Sequence, residues 1–211
     1  GEDESARRPR RHRRGRASQK AGLPPGTLVH IGTERAEPVR VTRIAYGPDR
    51  CDEAAGSPDA ATAAPAPDAP VTWINLDGVH DVAAIEALGR TFQLHPLILE
   101  DVANTTQRPK AEDYDPTLFV VVKMLSWDLE AAAVVSEHVS LVLGPGWLVS
   151  FQERPGDVFE TIRQRLRQDR GRIRRMSAGY LLYALLDAIL DHYYLVLEGL
   201  GERIEDLEDM D

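Results

Sequence analysis

The chain is short of cysteine, aromatic residues and long apolar runs, and each scarcity excludes something. One cysteine, Cys51, stands among 211 residues, which excludes an internal disulfide framework and a cysteine-built zinc site. Aromatic residues make up only 6%, and the arginine-rich segments lack the interleaved aromatics or recognition helix of a nucleic-acid reader. The longest uncharged stretches, 138–152 and 176–186, fall short of the roughly 18 apolar residues that a membrane span requires. On that count the chain is not expected to cross a bilayer. Catalytic signatures are missing too: there is no Walker loop, no Gly-x-Ser-x-Gly elbow and no His-x-x-x-His pair. The histidines at 12, 30, 80, 95, 138 and 192 are scattered and read as caps or surface residues. No enzyme is expected.

What the chain does have is a core and an uneven charge. Hydrophobic residues make up 43% and charged residues 28%, ordinary values for a globular protein. Residues 1–20 hold eight Lys/Arg against three Asp/Glu, which leaves −14 of the total −9 on the rest. An acidic body suits cations or basic surfaces as partners and disfavours nucleic acid. The arm at 1–21 has almost nothing to bury and is expected to be disordered. A second arginine run, from Arg163 to Arg175, is expected to pair with acids of the body or of a neighbouring chain. The sequence starts at Gly1 and stops at Asp211 in mid-pattern, as a piece of a longer protein would.

Periodicity and turn residues give the elements. Strands are expected at 27–31, 39–46 and 71–75, helices at 81–92 and from His95-Pro96 onward, and a strand at 118–125, placed centrally because both of its faces are apolar. Residues 134–143 and 146–153 flank Gly144-Pro145 as a hairpin, and 157–170 reads as a helix. Residues 52–70, with eight alanines and four prolines, are expected to be a flexible loop. From 177 to 211 an apolar seam of Leu182, Leu186, Ile189, Tyr193, Val196, Leu200, Ile204 and Leu207 marks a helix of about 50 Å. A helix longer than its own domain calls for a partner helix. Together these elements predict an α/β fold, an αβα layered sandwich with a mixed parallel/antiparallel sheet, followed by a long C-terminal helix.

The remaining chemistry is carboxylate. Glu100-Asp101 falls at the end of the helix begun by Pro96, and Asp187 lies on the border of the apolar seam. Spacing alone favours a solvated helix end for Glu100-Asp101 and an arginine partner for Asp187; if a metal binds instead, all-oxygen ligands would select Mg2+ or Ca2+.

Several segments then resemble the cytoplasmic domain of the CorA magnesium transporters. They are Gly22-Leu23-Pro24-Pro25-Gly26-Thr27-Leu28-Val29, Thr72-Trp73-Ile74-Asn75, His95-Pro96-Leu97-Ile98-Leu99-Glu100-Asp101-Val102, Gln107-Arg108-Pro109-Lys110, Gly156-Asp157-Val158-Phe159 and Tyr180-Leu181-Leu182-Tyr183-Ala184-Leu185-Leu186-Asp187. The resemblance implies an α/β cytoplasmic domain at 22–176 and, at 177–211, the start of an acidic helical hairpin. It implies a homopentamer in the cell inner membrane, held there through a C-terminal part outside this chain. It also implies a regulatory Mg2+, with Co2+ or Ni2+ as substitutes, bound between protomers. Asp101 matches the family's regulatory ligand; Glu100 and Asp187 match the adjacent second site. The alternatives left open are a zinc-transporting relative and a free-standing metal-responsive interaction module.

Overall fold

The computed structural model describes residues 27–33, 36–58, 68–128 and 130–208. The arginine-rich arm, the turn expected at 22–26, the middle of the alanine/proline stretch and the last three residues lie outside them.

Seven strands form one sheet: β1 (Arg40–Gly47), β2 (Arg50–Gly56), β3 (Val71–Asp77), β4 (Lys110–Asp113), β5 (Leu118–Asp128), β6 (Ala133–Gly144) and β7 (Trp147–Gln152). Their order is β2-β1-β3-β7-β6-β5-β4. β3 and β7 run parallel, and the other neighbours are antiparallel. The helices are α1 (Val82–Thr91), α2 (Pro96–Ala103), α3 (Glu160–Arg167) and α4 (Ala178–Glu208), with a 3-10 turn at Ile173–Arg175.

Helices cover both sheet faces, so the apolar strands have two cores to fill. On one face Ile44, Trp73, Val139, Leu141 and Leu148 pack with Phe159, Ile162 and Leu166 and with Leu181, Leu185 and Ile189 of α4. On the other, Ile74, Leu76, Phe119, Val121, Val149 and Phe151 pack with Ile85 and Leu88 of α1 and Ile98 and Val102 of α2. This is the αβα sandwich with a mixed sheet and a long last helix that the sequence predicts.

Local chemistry sets the helix starts. Asp81 accepts a hydrogen bond from the Ala84 amide at 3.1 Å and so caps α1. His95 Nδ1 accepts from the Leu97 amide at 3.2 Å, and Pro96 sits at the first helical position of α2. In the β6–β7 turn, Gly146 takes φ 76°, the left-handed position that a proline–glycine turn requires.

Four expectations are corrected. Residues 52–56, expected to be loop, belong to β2, an edge strand paired with β1. The strand expected at 27–31 reduces to an isolated bridge from Ile31 to Asn104. β5 is second from the edge rather than central, because β4 pairs outside it. His138 is neither a cap nor a surface residue: it is fully buried in β6.

Helix α4 has two halves. Leu181, Leu182, Ala184, Leu185 and Ile189 are buried, whereas Leu190, Tyr194, Leu195, Leu197, Leu200, Ile204 and Leu207 are exposed. Gly199 allows a close approach, since a Cβ there would lie 3.1 Å from the Trp127 ring. α4 is also long and apolar enough, by length and composition, to cross a membrane, with about a third of its apolar stretch buried in the domain. Counting uncharged runs missed this, because the stretch is interrupted by charges such as Asp187 and Asp191. The buried part of α4 lies on the sheet as a core helix.

Candidate functional site

Asp101 sits in the last turn of α2, and both of its oxygens are engaged within the chain. Lys110 Nζ lies 2.5 Å from Oδ2, and Gln107 Nε2 donates to Oδ1 at 2.5 Å. Lys110 bridges onward to Glu112 Oε1 at 2.9 Å, and the Tyr114 hydroxyl donates to Glu112 Oε2 at 3.0 Å. Burial alone would lower the Lys110 pKa, yet the hydrogen bonds to Asp101 and Glu112 hold it above the usual lysine value. The same contacts hold Glu112 below the usual carboxylate range. The cluster is reachable from solvent: the side chains of Lys110 and Asp101 are 26% and 18% exposed.

Local structure explains why these groups converge. β4 pairs with β5 through Lys110↔Val121 and Glu112↔Phe119. Residues two apart on a strand share a face, so Lys110 and Glu112 project to the same side. The short return from α2 brings that side to the helix's C-terminal turn, where the helix dipole favours a cation.

The other two expected ligands stand apart. Glu100 is half-buried beside Asp101 on α2. Asp187 is exposed on α4, with no side-chain hydrogen bond or ion pair among the described residues, so the arginine pair allowed for it does not form. α2 and α4 belong to opposite layers of the sandwich. Among the described residues no group of three or more His, Cys, Asp or Glu side chains is gathered to hold a metal. The structure therefore brings Glu100 and Asp101 together but not Asp187.

The residues fit a hard cation nonetheless. Oxygens of Asp101 and Glu112 already converge on one positive group, the Lys110 ammonium, at a partly open edge. Carboxylate oxygens are the donors Mg2+ prefers. Lys110 and Gln107 were visible in the sequence only as part of the Gln107-Arg108-Pro109-Lys110 segment that carries the resemblance; nothing in their spacing announced that they grip Asp101.

Elsewhere, a cavity of about 280 Å³ is lined by Arg40, Thr42, Asp77, Asp157, Arg163 and Arg167, among others. Two of its lining carboxylates, Asp77 and Asp157, also accept from a buried polar row, through Asn75 and Gln152. The Trp73 indole donates to Ser150 Oγ at 2.9 Å, Ser150 donates to Asn75 Oδ1 at 2.6 Å, and Gln152 Nε2 donates to Asn75 and Asp157 at 2.8 and 2.9 Å. Arg163 closes it with two bonds to Asp157, at 2.7 and 2.5 Å. Burial would raise the Asp157 pKa, but the Arg163 guanidinium holds it below the usual range. Asp77, without such a partner, is raised by burial. The expectation that the arginine run pairs with acids holds for Arg163, Arg167 with Glu53 and Glu160, and Arg175 with Asp169.

Comparison with known proteins agrees with this architecture. The family described as "CorA-like Mg2+ transporter protein" matches residues 68–210. The cobalt/magnesium transport protein CorA of Thermotoga maritima is 40% identical over 195 residues, covering 92% of this chain and 55% of that protein. The chain thus spans about half the length of that curated relative. The soluble domain of CorA from Methanocaldococcus jannaschii superposes with a TM-score of 0.61 at 14% identity, over 81% of this chain and 63% of that one. The ZntB cytoplasmic domain from Vibrio parahaemolyticus gives 0.61 at 14%, over 83% of this chain and 67% of that one. With a family match over more than half its length and the expected layered fold beneath it, the chain belongs to the CorA-like Mg2+ transporter family.

Proposed function

We propose that this chain is the cytoplasmic regulatory domain of a CorA-type Mg2+ transporter, a gating module and not a catalyst. The reading rests on one observation: Asp101, at a partly open edge of a CorA-type fold, already holds a cation between oxygen ligands. The 40% identity to a cobalt/magnesium transport protein supports the same ion class, with Mg2+ as regulator and Co2+ or Ni2+ as substitutes.

The mechanism is electrostatic. Asp101 and Glu100 face acids of the next protomer in a ring of five, with Asp187 contributing to the adjacent site. Facing carboxylates repel by about 1 kcal/mol per pair at 4 Å in water, and by more where solvent is limited. A bound divalent ion neutralises that repulsion, so the closed ring is favoured when the ion is abundant; when it is scarce the acids push the protomers apart. This is linkage between ligand and conformation. The exposed apolar half of α4 takes its partner helix from the rest of the protein, which anchors the assembly in the cell inner membrane.

In the full-length protein, Asp101→Asn should weaken the Mg2+ dependence of closure, read as Mg2+-dependent protection from protease. An unchanged Mg2+ response would overturn the reading. A zinc-transporting relative is the second reading, favoured by the equal TM-score of the ZntB domain; the identity to the cobalt/magnesium transporter weighs against it. Parallel titrations with Mg2+ and Zn2+ separate the two.

A further inference from the structure

We infer that Lys110 is a built-in competitor for the Asp101 site: its ammonium holds Asp101 when no divalent ion is there, retreats to Glu112 when one arrives, and so sets how much Mg2+ closure requires. The inference rests on the metal reading of Asp101 given above.

Three observations carry it. First, Lys110 is shared between two acids, with Nζ 2.5 Å from Asp101 Oδ2 and 2.9 Å from Glu112 Oε1. An ammonium with two perches can leave one without being stranded. Second, the second perch is prepared, because Tyr114 fixes the other Glu112 oxygen at 3.0 Å and β4 holds Lys110 and Glu112 on one face. Third, Lys110 stays local: its Nζ lies 5.7 Å from the centre of the Phe119 ring, which offers a favourable surface for a cation.

A divalent ion and an ammonium on one carboxylate repel each other. Binding at Asp101 is therefore an exchange of cations, and its apparent affinity is lowered by the ammonium already there. Gln107 differs in kind. Its amide donates to Asp101 Oδ1 at 2.5 Å without charge, so it orients the carboxylate and does not compete for it.

The test is a Mg2+ titration of the purified full-length transporter, read as protection from chymotrypsin, which does not cleave after Lys, Arg or Gln; Lys110→Gln therefore checks Lys110→Met, which adds a slow site. Lys110→Met should lower the Mg2+ midpoint by roughly tenfold, and Lys110→Arg, which keeps the charge, should stay within about twofold of the parent. Glu112→Gln removes the retreat position and should raise the midpoint several-fold. If Lys110→Met does not fold, Lys110→Gln, which keeps a donor without charge, takes its place with the same expected direction. A midpoint that is unchanged or raised in the uncharged variant overturns the inference. Asp101→Asn distinguishes the two levels of failure. If it abolishes the Mg2+ response while Lys110→Met leaves the midpoint alone, only the competitor role fails. If Asp101→Asn titrates like the parent, the metal reading fails and the inference with it.

Discussion

Glu137 and His138 are consecutive on β6, face opposite layers of the sheet and carry opposite proton linkages. Glu137, on the α4 side, is paired with Arg154 at 3.0 Å, yet burial pushes its pKa up to about 7. His138, on the α2 side, bonds Ser140 at 2.9 Å, and burial, together with the nearby Lys123 charge, takes its pKa down to about 3. From pH 4.5 to 7 the unfolded glutamate is ionised while the folded one keeps its proton, so its contribution to stability falls as pH rises. From 6.5 down to 3 the unfolded histidine is protonated while the folded one stays neutral, so its contribution falls as pH drops.

Where these windows overlap, between 4.5 and 6.5, the two effects oppose each other and cancel. Glu137→Gln should therefore add a slope of about 1.4 kcal/mol per pH unit, with stability rising with pH across that window, and His138→Asn should add a similar slope of the opposite sign. Urea unfolding at a series of pH values measures both. Variants whose profiles parallel the parent's would contradict the assignment.

The Arg163–Asp157 pair ties α3 to the sheet through Gln152 of β7, whose amide donates to Asp157 at 2.9 Å. Both side chains are largely buried, at 13% and 5% exposure, so removing one partner leaves the other's charge without compensation. Arg163→Met should cost about 3 kcal/mol. Adding Asp157→Asn to it should restore part of that loss, because the stranded charge goes too. A strictly additive double mutant, measured by urea midpoints, would count against this tie.

The two halves of α4 should respond oppositely to truncation. Leu185 is fully buried against the sheet, and Leu185→Ala should cost about 2–5 kcal/mol. Leu197 is 62% exposed, so Leu197→Gln should change the unfolding free energy of this chain by no more than about 0.5 kcal/mol. In the full-length protein the same Leu197→Gln change should loosen assembly, seen as a lower share of oligomer by light scattering.

Much of this architecture could be read from the residues because local chemistry and tertiary packing agree there. Asp81 and Pro96 start their helices where capping rules place them, and the β-branched and aromatic run Val71-Thr72-Trp73-Ile74 and the glycines around Pro145 lead to the observed strand and hairpin. β2 was hidden because Arg50–Gly56 has no β-branched residue; its strand form comes from pairing with β1, which propensity does not report. β4, four residues long and largely charged, was hidden for the same reason. At the candidate site, Glu100 and Asp101 were readable as neighbours at a helix end. The grip of Lys110 was not, since it depends on how the chain turns from α2 into β4, and the solvent exposure of Asp187 depends on which face α4 lays on the sheet.

The parallel contact between β3 and β7 divides the sheet into a three-strand ribbon and a four-strand ribbon, each built from antiparallel neighbours. Asn75, Ser150 and Gln152 hydrogen-bond across that junction. Sliding one ribbon by a single residue would turn those amides and the hydroxyl into the opposite oily layer, where they would have nothing to bond. The polar row acts as a ratchet stop between two sheets-in-miniature, so that the ribbon of β4 to β7, which bears most of α4, is held in fixed alignment with the ribbon of β1 to β3.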